Sequence, residues 1–177
     1  YHDVSGYMCG GMVLPDPTAC PRVLQEQPSA AQFSQDPTAA HPIVWRAAFP
    51  MDIQQDLVSH TNPHGSIYNS DLELAGAVLH NVCVADCYDV RERTTLARTD
   101  NIAAMWWGRK GSATCTSPPA HLLRLSAMHQ RGHRYLLRQD FVSGTDNLIS
   151  DRPSRSADLT DAQLLAFLDT NFPQRLP

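Results

Sequence analysis

A long amphipathic segment follows Asn69-Ser70 in the middle of the chain. Its apolar residues recur at intervals of three and four, at Leu72, Ala75, Gly76, Leu79, Val82 and Cys83. This spacing places them on one face of an α-helix, because a helix completes a turn in about 3.6 residues. The pattern therefore predicts a long helix that begins at Asn69-Ser70 and buries one side.

Short runs of apolar and β-branched residues, bounded by proline, glycine or aspartate, predict strands elsewhere in the chain. They cover residues 7–14, 43–49, 94–99 and 135–142. Shorter helical patterns cover residues 52–58, 102–107, 118–132 and 147–155, with a C-terminal helix at about 159–169. Strands interspersed with helices in this order predict an α/β layered domain rather than a helical bundle or a β-sandwich.

The length of 177 residues fits a single domain, residues 1–177, with one hydrophobic core. A proline-rich stretch at about 15–42 lacks periodicity and predicts a long loop or insertion. The chain has no initiator methionine and enters a strand-like run almost at once. We therefore expect it to be a piece of a longer polypeptide.

The composition argues against membrane proteins and disulfide-rich secreted proteins. No apolar run approaches the roughly 20 residues that span a bilayer, so we expect no membrane partner. The five cysteines are odd in number and irregularly spaced, which favours reduced thiols in an intracellular compartment, cytoplasm or nucleus.

The net charge of −4 conceals an uneven distribution. Residues 1–99 carry five basic and eleven acidic side chains, whereas residues 100–155 carry eight basic and four acidic ones. A basic middle beside acidic groups could hold a phosphate backbone next to a metal site. Ordinary surface charge explains the same distribution, and on charge alone it is the better explanation.

Four carboxylates lie far apart in the chain, each in a short distinctive motif. Asp3 occurs in Asp-Val-Ser-Gly, Glu73 in Asp-Leu-Glu-Leu-Ala, Asp100 in Thr-Asp-Asn and Asp151 in Asn-Leu-Ile-Ser-Asp. The last motif extends to Gly-x-x-Asn-x-x-x-Asp-x-x-Ser-Arg. If the fold gathers these groups, they repel one another unless cations compensate their charge. Mg²⁺ and Mn²⁺ take oxygen ligands of this kind.

In order and spacing, these motifs resemble the ribonuclease H domain of retroelement (retrotransposon) reverse transcriptase polyproteins. The likeness covers nearly the whole chain, through a closing Leu-Thr-Asp helix to Phe172-Pro173-Gln174. It implies a ribonuclease H-like fold, with a five-stranded mixed sheet flanked by helices. It also implies an endonuclease that cuts the RNA strand of RNA–DNA hybrids, beside the polymerase domain of the same polyprotein.

The resemblance implies that Asp3, Glu73, Asp100 and Asp151 bind two divalent ions, Mg²⁺ or Mn²⁺. Two such ions can activate water and neutralise the leaving oxygen. We expect Asp3, on a central strand, to lie between the ions. Glu73 and Asp100 would complete the site for the leaving oxygen, and Asp151 would help to hold the ion that activates water.

The resemblance to ribonuclease H domains also provides candidates for substrate contacts. Phosphates would rest on the basic side chains Arg109, Lys110, Arg152 and Arg155. Ser5 and Asn101 are candidates for contacts to 2′-hydroxyl groups along the minor groove, which distinguish RNA from DNA.

The chain departs from the family pattern near its last acid. The family often has a histidine in the loop before that acid, but no histidine follows His133. Ser150 replaces the alanine that usually precedes this acid. Pro153 predicts that the helix carrying Asp151 is shortened. These departures leave open a catalytically degenerate domain that serves as a spacer beside the polymerase.

Each acid also has a structural explanation when it is taken singly. Asp3 could be a solvated residue near a chain end, and Ser70-x-x-Glu73 fits a capping box. Asp100 could belong to an ordinary strand-end turn, and Asp151 could cap the short helix or pair with Arg155 four residues later. Only the joint pattern favours catalysis.

A third interpretation uses cysteine and histidine. Cys83-x-x-x-Cys87 and His129-x-x-x-His133 each place two ligands one helical turn apart, as in a zinc-stabilised interaction domain. Buried thiols and surface histidines explain these residues better, because the pairs lie on separate predicted helices. Trp106-Trp107 could stack bases, although a short helix beside a sheet must bury at least one apolar side chain.

Overall fold

The computed structural model describes residues 2–5, 8–13, 43–113 and 117–171. At residues 2, 3, 12 and 13 it describes the backbone but not the side chains. The predicted insertion at 15–42 and the Phe172-Pro173-Gln174 motif lie outside the described residues. The strands are β1 (His2–Val4), β2 (Met8–Val13), β3 (Ile43–Ala48), β4 (Thr94–Thr99) and β5 (Leu136–Phe141). The helices are α1 (Met51–Gln55), α2 (Asn69–Cys87), α3 (Ile102–Lys110), α4 (Ser117–His133), α5 (Leu148–Arg155) and α6 (Asp161–Asn171).

The predicted α/β class is confirmed, and strands and helices follow one another in the expected order. The bounds of β4 and the start of α2 are those that the sequence pattern predicts. Helix α3 extends to Lys110, beyond the predicted end at residue 107. It begins where the Asn101 Oδ1 atom accepts a hydrogen bond from Ala104 N, and Gly111 ends it with a left-handed φ of 64°.

The strands form two sheets in the part of the chain that the structure describes. β1, β2 and β3 form an antiparallel sheet in that order, and β4 pairs with β5 in parallel. The expectation of a single five-stranded hydrogen-bonded sheet is therefore wrong. β1 has three residues and offers few backbone groups for a second ladder, although its Cα atoms come within 8 Å of those of β4.

Helix α2 packs between two hydrophobic clusters. Leu72 packs with Val4 and Cys9 of the antiparallel sheet, whereas Leu74 packs with residues of α3 and α4. Because consecutive helical side chains point in different directions, Glu73 falls between these two contacts. The core therefore fixes both the rotation of α2 and the position of Glu73.

Helix α5 packs directly against β2 through a glycine. A Cβ atom built on Gly10 would lie 2.6 Å from Pro153 Cβ and 2.9 Å from the Ser154 nitrogen, closer than any normal contact. Pro153 is buried inside α5 and does not end it, because the helix continues to Arg155. The helix has eight residues and ends two residues after Pro153.

Arg46 of β3 joins the sheet to the connection between α5 and α6. Its Nη1 and Nη2 atoms donate to the carbonyl oxygens of Ser156 and Leu159, both at 2.7 Å. Its Nε atom donates to Asp161 Oδ1 at 3.0 Å. The planar guanidinium thus holds three points of the connection at once.

The Arg46→Lys protein is expected to be less stable by about 1–3 kcal/mol, because a lysine cannot reproduce the fork of donors and leaves backbone carbonyls unsatisfied. Urea unfolding measures this difference. Arg124→Lys, at an exposed position of α4, is the matched control and should stay within about 0.5 kcal/mol of the parent. Equal losses in both proteins would contradict the role of Arg46.

Candidate active site

Glu73 lies in the first turns of α2 and is only 3% exposed. The predicted capping box of Ser70 and Glu73 is wrong, because Asp71 caps the helix: its Oδ2 atom accepts a hydrogen bond from Tyr68 N at 2.9 Å. Burial raises the pKa of Asp71, and its hydrogen bond from the Tyr68 backbone lowers it. The spacing pattern missed this cap because Asp71, like Glu73, is an acid in the first helical turns. The capping box therefore does not explain Glu73.

Asp100 follows the carboxyl end of β4, next to the start of α2. The neighbouring Asn101 donates a hydrogen bond from Nδ2 to Ser70 Oγ at 3.4 Å. Asn101 also caps α3, so the turn is fixed on two sides. The strand-end turn expected from Asp100-Asn101 is present, and it connects Asp100 to the helix that carries Glu73.

The loop between β5 and α5 passes beside Asp100. Val142 N donates to the Thr99 carbonyl at 3.0 Å, which holds the start of the loop against the end of β4. A Cβ atom built on Gly144 would lie 3.3 Å from Asp100 Oδ2. The absence of a side chain at Gly144 therefore allows the Asp100 carboxylate to approach the loop that leads to Asp151.

Asp151 lies in the first turn of α5 with a half-buried side chain. Its Oδ1 atom accepts a hydrogen bond from Arg155 Nε, which confirms the predicted pair one turn apart. This ion pair orients the Asp151 carboxylate. It is also enough to give Arg155 a structural role.

Asp3 is the central residue of β1, where it pairs with Gly10 of β2, and its side chain is not described. The Ser5 Oγ atom donates to the Ser154 carbonyl at 2.7 Å and so connects the end of β1 to α5. Cα atoms of β1 come within 8 Å of α2, α5 and β4. The strand of Asp3 thus neighbours each element that carries or precedes another predicted acid.

The cationic side chains expected to contact phosphate have partners within the protein. Arg109 donates from Nε to the Gln139 carbonyl at 2.7 Å and from Nη2 to Asp140 Oδ1 at 2.6 Å. The Arg152 guanidinium lies 4.8 Å from the centre of the Phe167 ring. Lys110 is exposed at the end of α3.

The two tryptophans of α3 have different environments. Trp107 is partly buried against the cluster of Leu74 and Leu123, as expected for a short helix beside a sheet. Trp106 is 48% exposed, and the Arg109 guanidinium and Lys110 ammonium lie 5.6 and 5.7 Å from its ring. The result is an exposed aromatic ring with two cationic groups over it.

The four cysteine and histidine side chains of the zinc interpretation do not form a four-ligand zinc site. Among the described side chains, which include Glu73, Asp100 and Asp151 but not Asp3, no group of three or more histidine, cysteine, aspartate or glutamate residues is arranged to hold a metal ion. Burial raises the pKa of the Cys83 thiol to about 11. His133 is exposed, and burial followed by the charge of His133 lowers the pKa of His129. The expectation of buried thiols and surface histidines is met only in part, because Cys83 is half-buried and Cys87 exposed, whereas His129 is half-buried and His133 exposed.

Comparison of the chain with protein-family models, with curated proteins and with solved structures gave no match. Among the helices of the described residues, none combines the length and the apolar character that crossing a membrane requires.

Proposed function

We propose that this chain is a ribonuclease H-like, divalent-metal-dependent endonuclease domain that hydrolyses the RNA strand of RNA–DNA hybrids. In this proposal it forms part of a retroelement reverse transcriptase polyprotein and works beside the polymerase domain. The observation that supports it most is the meeting of α2, α5 and β4 around β1. Each of these elements carries or precedes one of the acids that the sequence motifs single out.

In the proposed ribonuclease H-like fold the two sheets lie side by side in the strand order β3-β2-β1-β4-β5, with β1 next to β4 but not hydrogen-bonded to it. The pairing within each sheet and the closeness of β1 to β4 support this order. The parallel pairing of β4 with β5 also fits, because two helices connect these strands and provide the crossover that parallel strands need.

The four acids fit Mg²⁺ or Mn²⁺ by their chemistry, because all the side-chain donors are carboxylate oxygens. Asp3, Glu73, Asp100 and Asp151 would hold the ions. Held there, such ions would supply an activated water molecule and a positive charge for the leaving oxygen of the phosphodiester. The buried position of Glu73 suits such a role, since burial of an ionised carboxylate is costly without a compensating charge.

The protein restricts the movement of three of these acids. Packing of Leu72 and Leu74 on opposite clusters fixes Glu73, and the Asn101 cap fixes the turn at Asp100. Arg155 orients Asp151. Preorganised carboxylates need no rearrangement when substrate binds, which lowers the barrier to reaction.

Substrate contacts divide into direct and positioning roles. Lys110, Trp106 and Arg152 are exposed and can contact phosphates or bases. Arg109 holds α3 against β5 through Gln139 and Asp140, so we assign it a positioning role that keeps Lys110 and Trp106 in place. Ser5 and Asn101 already use side-chain hydrogen bonds within the protein, and a 2′-hydroxyl would share these groups.

The function is tested with a panel of labelled nucleic acids: an RNA–DNA hybrid, duplex DNA, duplex RNA and single-stranded RNA. With Mg²⁺ or Mn²⁺, we expect cleavage of the hybrid RNA alone, leaving 3′-hydroxyl and 5′-phosphate ends. Cleavage no faster than that by the Asp100→Asn protein would reject the endonuclease and favour the degenerate spacer domain.

Trp106→Ala is expected to weaken binding of a hybrid that carries an unpaired overhang by roughly 5- to 150-fold, because stacking of one unpaired base on an aromatic ring contributes about 1–3 kcal/mol. Fluorescence anisotropy with a labelled hybrid measures the dissociation constant. Ile102→Ala is the matched control, because Ile102 is an exposed apolar residue of α3 without an aromatic ring. Equal affinities of both variants for the hybrid would remove Trp106 from the binding surface.

A further inference from the structure

His129 and His133 lie one helical turn apart at the C-terminal end of α4. Their ring centroids are 4.2 Å apart, and their planes are inclined by 27°. His133 is exposed and His129 is half-buried, so solvent reaches this pair. Two imidazoles one turn apart on a helix can bind the same ion when the exposed His133 ring turns out of the stack, so that the in-plane nitrogen lone pairs of both rings converge.

We propose that His129 and His133 form a two-imidazole site for a transition-metal ion such as Ni²⁺, Zn²⁺ or Cu²⁺. The imidazole nitrogen is a good ligand for these ions, whereas Mg²⁺ and Mn²⁺ prefer oxygen. Two side chains and water molecules complete the coordination, so the site needs no third residue from the protein. It is therefore compatible with the lack of a larger ligand cluster among the described side chains.

Tyr135 prepares His129 for this role. The Tyr135 hydroxyl lies 3.0 Å from His129 Nδ1, and the two rings meet edge to face with centroids 5.8 Å apart. Tyr135 is only 5% exposed and is held in the cluster of Ala85 and Val90. When Nδ1 carries the proton and donates it to the hydroxyl, Nε2 keeps the lone pair that binds a metal. A metal-binding histidine is usually supported by such a hydrogen bond from its other ring nitrogen.

Charges of both signs surround the histidine pair, because Arg131 lies between the two histidines in α4 and Arg134 follows them. Asp86 of α2 lies near enough to act electrostatically on His129. A carboxylate at that range attracts a divalent ion without binding it directly. Because His129 is half-buried, solvent screens this attraction less than it would at a fully exposed ring.

The two-histidine site lies at the opposite end of the β4–β5 pair from the proposed catalytic acids. His133 precedes Leu136, the first residue of β5, which pairs with Thr94, whereas Asp100 follows the other end of β4. A six-residue strand spans roughly 16–20 Å, so an ion at the histidines leaves the acids untouched. The inference thus does not depend on the proposed function.

An ion at this position would stabilise the folded chain. It would join two turns of α4 next to Arg134, whose backbone has a left-handed φ of 56° and whose carbonyl accepts a 2.6 Å hydrogen bond from Glu92 N. Because the unfolded chain does not hold the two rings together, binding is linked to folding and raises the melting temperature.

The test is calorimetric titration of the untagged full chain with Ni²⁺. We expect one ion to bind, and His129→Gln or His133→Gln to weaken binding about tenfold or more, as for loss of a metal-supporting group. Tyr135→Phe should weaken it less, because the ligands remain. His121→Gln, on the same helix, and the double variant Cys83→Ser/Cys87→Ser should bind Ni²⁺ like the parent.

A melting-temperature increase with Ni²⁺ in the parent, absent from His133→Gln, would provide independent support. Parent-like Ni²⁺ affinity of His133→Gln, with its circular dichroism spectrum unchanged, would overturn the proposal. Loss of Ni²⁺ binding in the double cysteine variant alone would also overturn it, because the ion would then be bound by thiols.

Discussion

Cleavage of the hybrid RNA by the Asp100→Asn protein is expected to be at least about 100-fold slower than by the parent, an effect typical of removing one charge-stabilising group from an active site. The substitution keeps the size of the side chain and removes its negative charge. The Asp100 carboxylate lies at the end of β4, where Gly144 leaves space for it and where the Asn101 cap fixes the turn. An amide in the same place would bind a divalent ion poorly and would not compensate its charge.

Two measurements separate this effect from a change in folding. The melting temperature of Asp100→Asn should remain within a few degrees of the parent, since the turn is held by Asn101 and Ser70 rather than by Asp100. Asp158→Asn is the matched control, because it makes the same change at an exposed position between α5 and α6. Parent-like cleavage by Asp100→Asn, or an equal loss in Asp158→Asn, would contradict the assignment.

The Gly10→Ala protein is expected to be less stable than the parent by about 3 kcal/mol, at the upper end of the usual cost of overpacking a core. The added methyl group would lie 2.9 Å from the backbone carbonyl carbon of Pro153 and from Ser154 N. These are backbone atoms of a helix and cannot rotate away. Helix α5 must therefore move away from β2, and Asp151 moves with it.

Urea unfolding measures the loss of stability, and the hybrid assay should show reduced cleavage as well. Gly132→Ala makes the same substitution at a position where the new Cβ atom meets nothing within 4 Å. Since alanine is the better helix former, this control should gain about 0.5–1 kcal/mol. A Gly10→Ala protein as stable as the parent would show that α5 does not pack on β2 in this way.

Local patterns predicted most of the secondary structure. The alternation and boundaries of residues 94–99 predict β4 correctly, and helical spacing after Asn69 predicts α2. Both elements depend on side-chain periodicity, which a single sequence displays directly. The two-sheet arrangement was not predicted, because hydrogen bonding between β1 and β4 depends on the exact approach of strands far apart in the chain.

The contacts that fix the candidate site could not be predicted, because their partners are distant in sequence. Gly10 lies inside the strand predicted at residues 7–14, and only the structure shows Pro153 against it. Arg46 gave no signal, because its three acceptors lie more than one hundred residues later. Asp71 was overlooked as a cap because Glu73 fits the usual spacing of a capping box.

The most direct test of a shared metal site is Mn²⁺-induced broadening of backbone amide signals in the nuclear magnetic resonance spectrum of the ¹⁵N-labelled chain. Mn²⁺ is paramagnetic and prefers oxygen ligands. We predict broadening centred on the amides of Asp3, Glu73, Asp100 and Asp151, and its weakening in the Asp100→Asn protein. Broadening centred elsewhere, or unchanged in Asp100→Asn, would contradict the shared site.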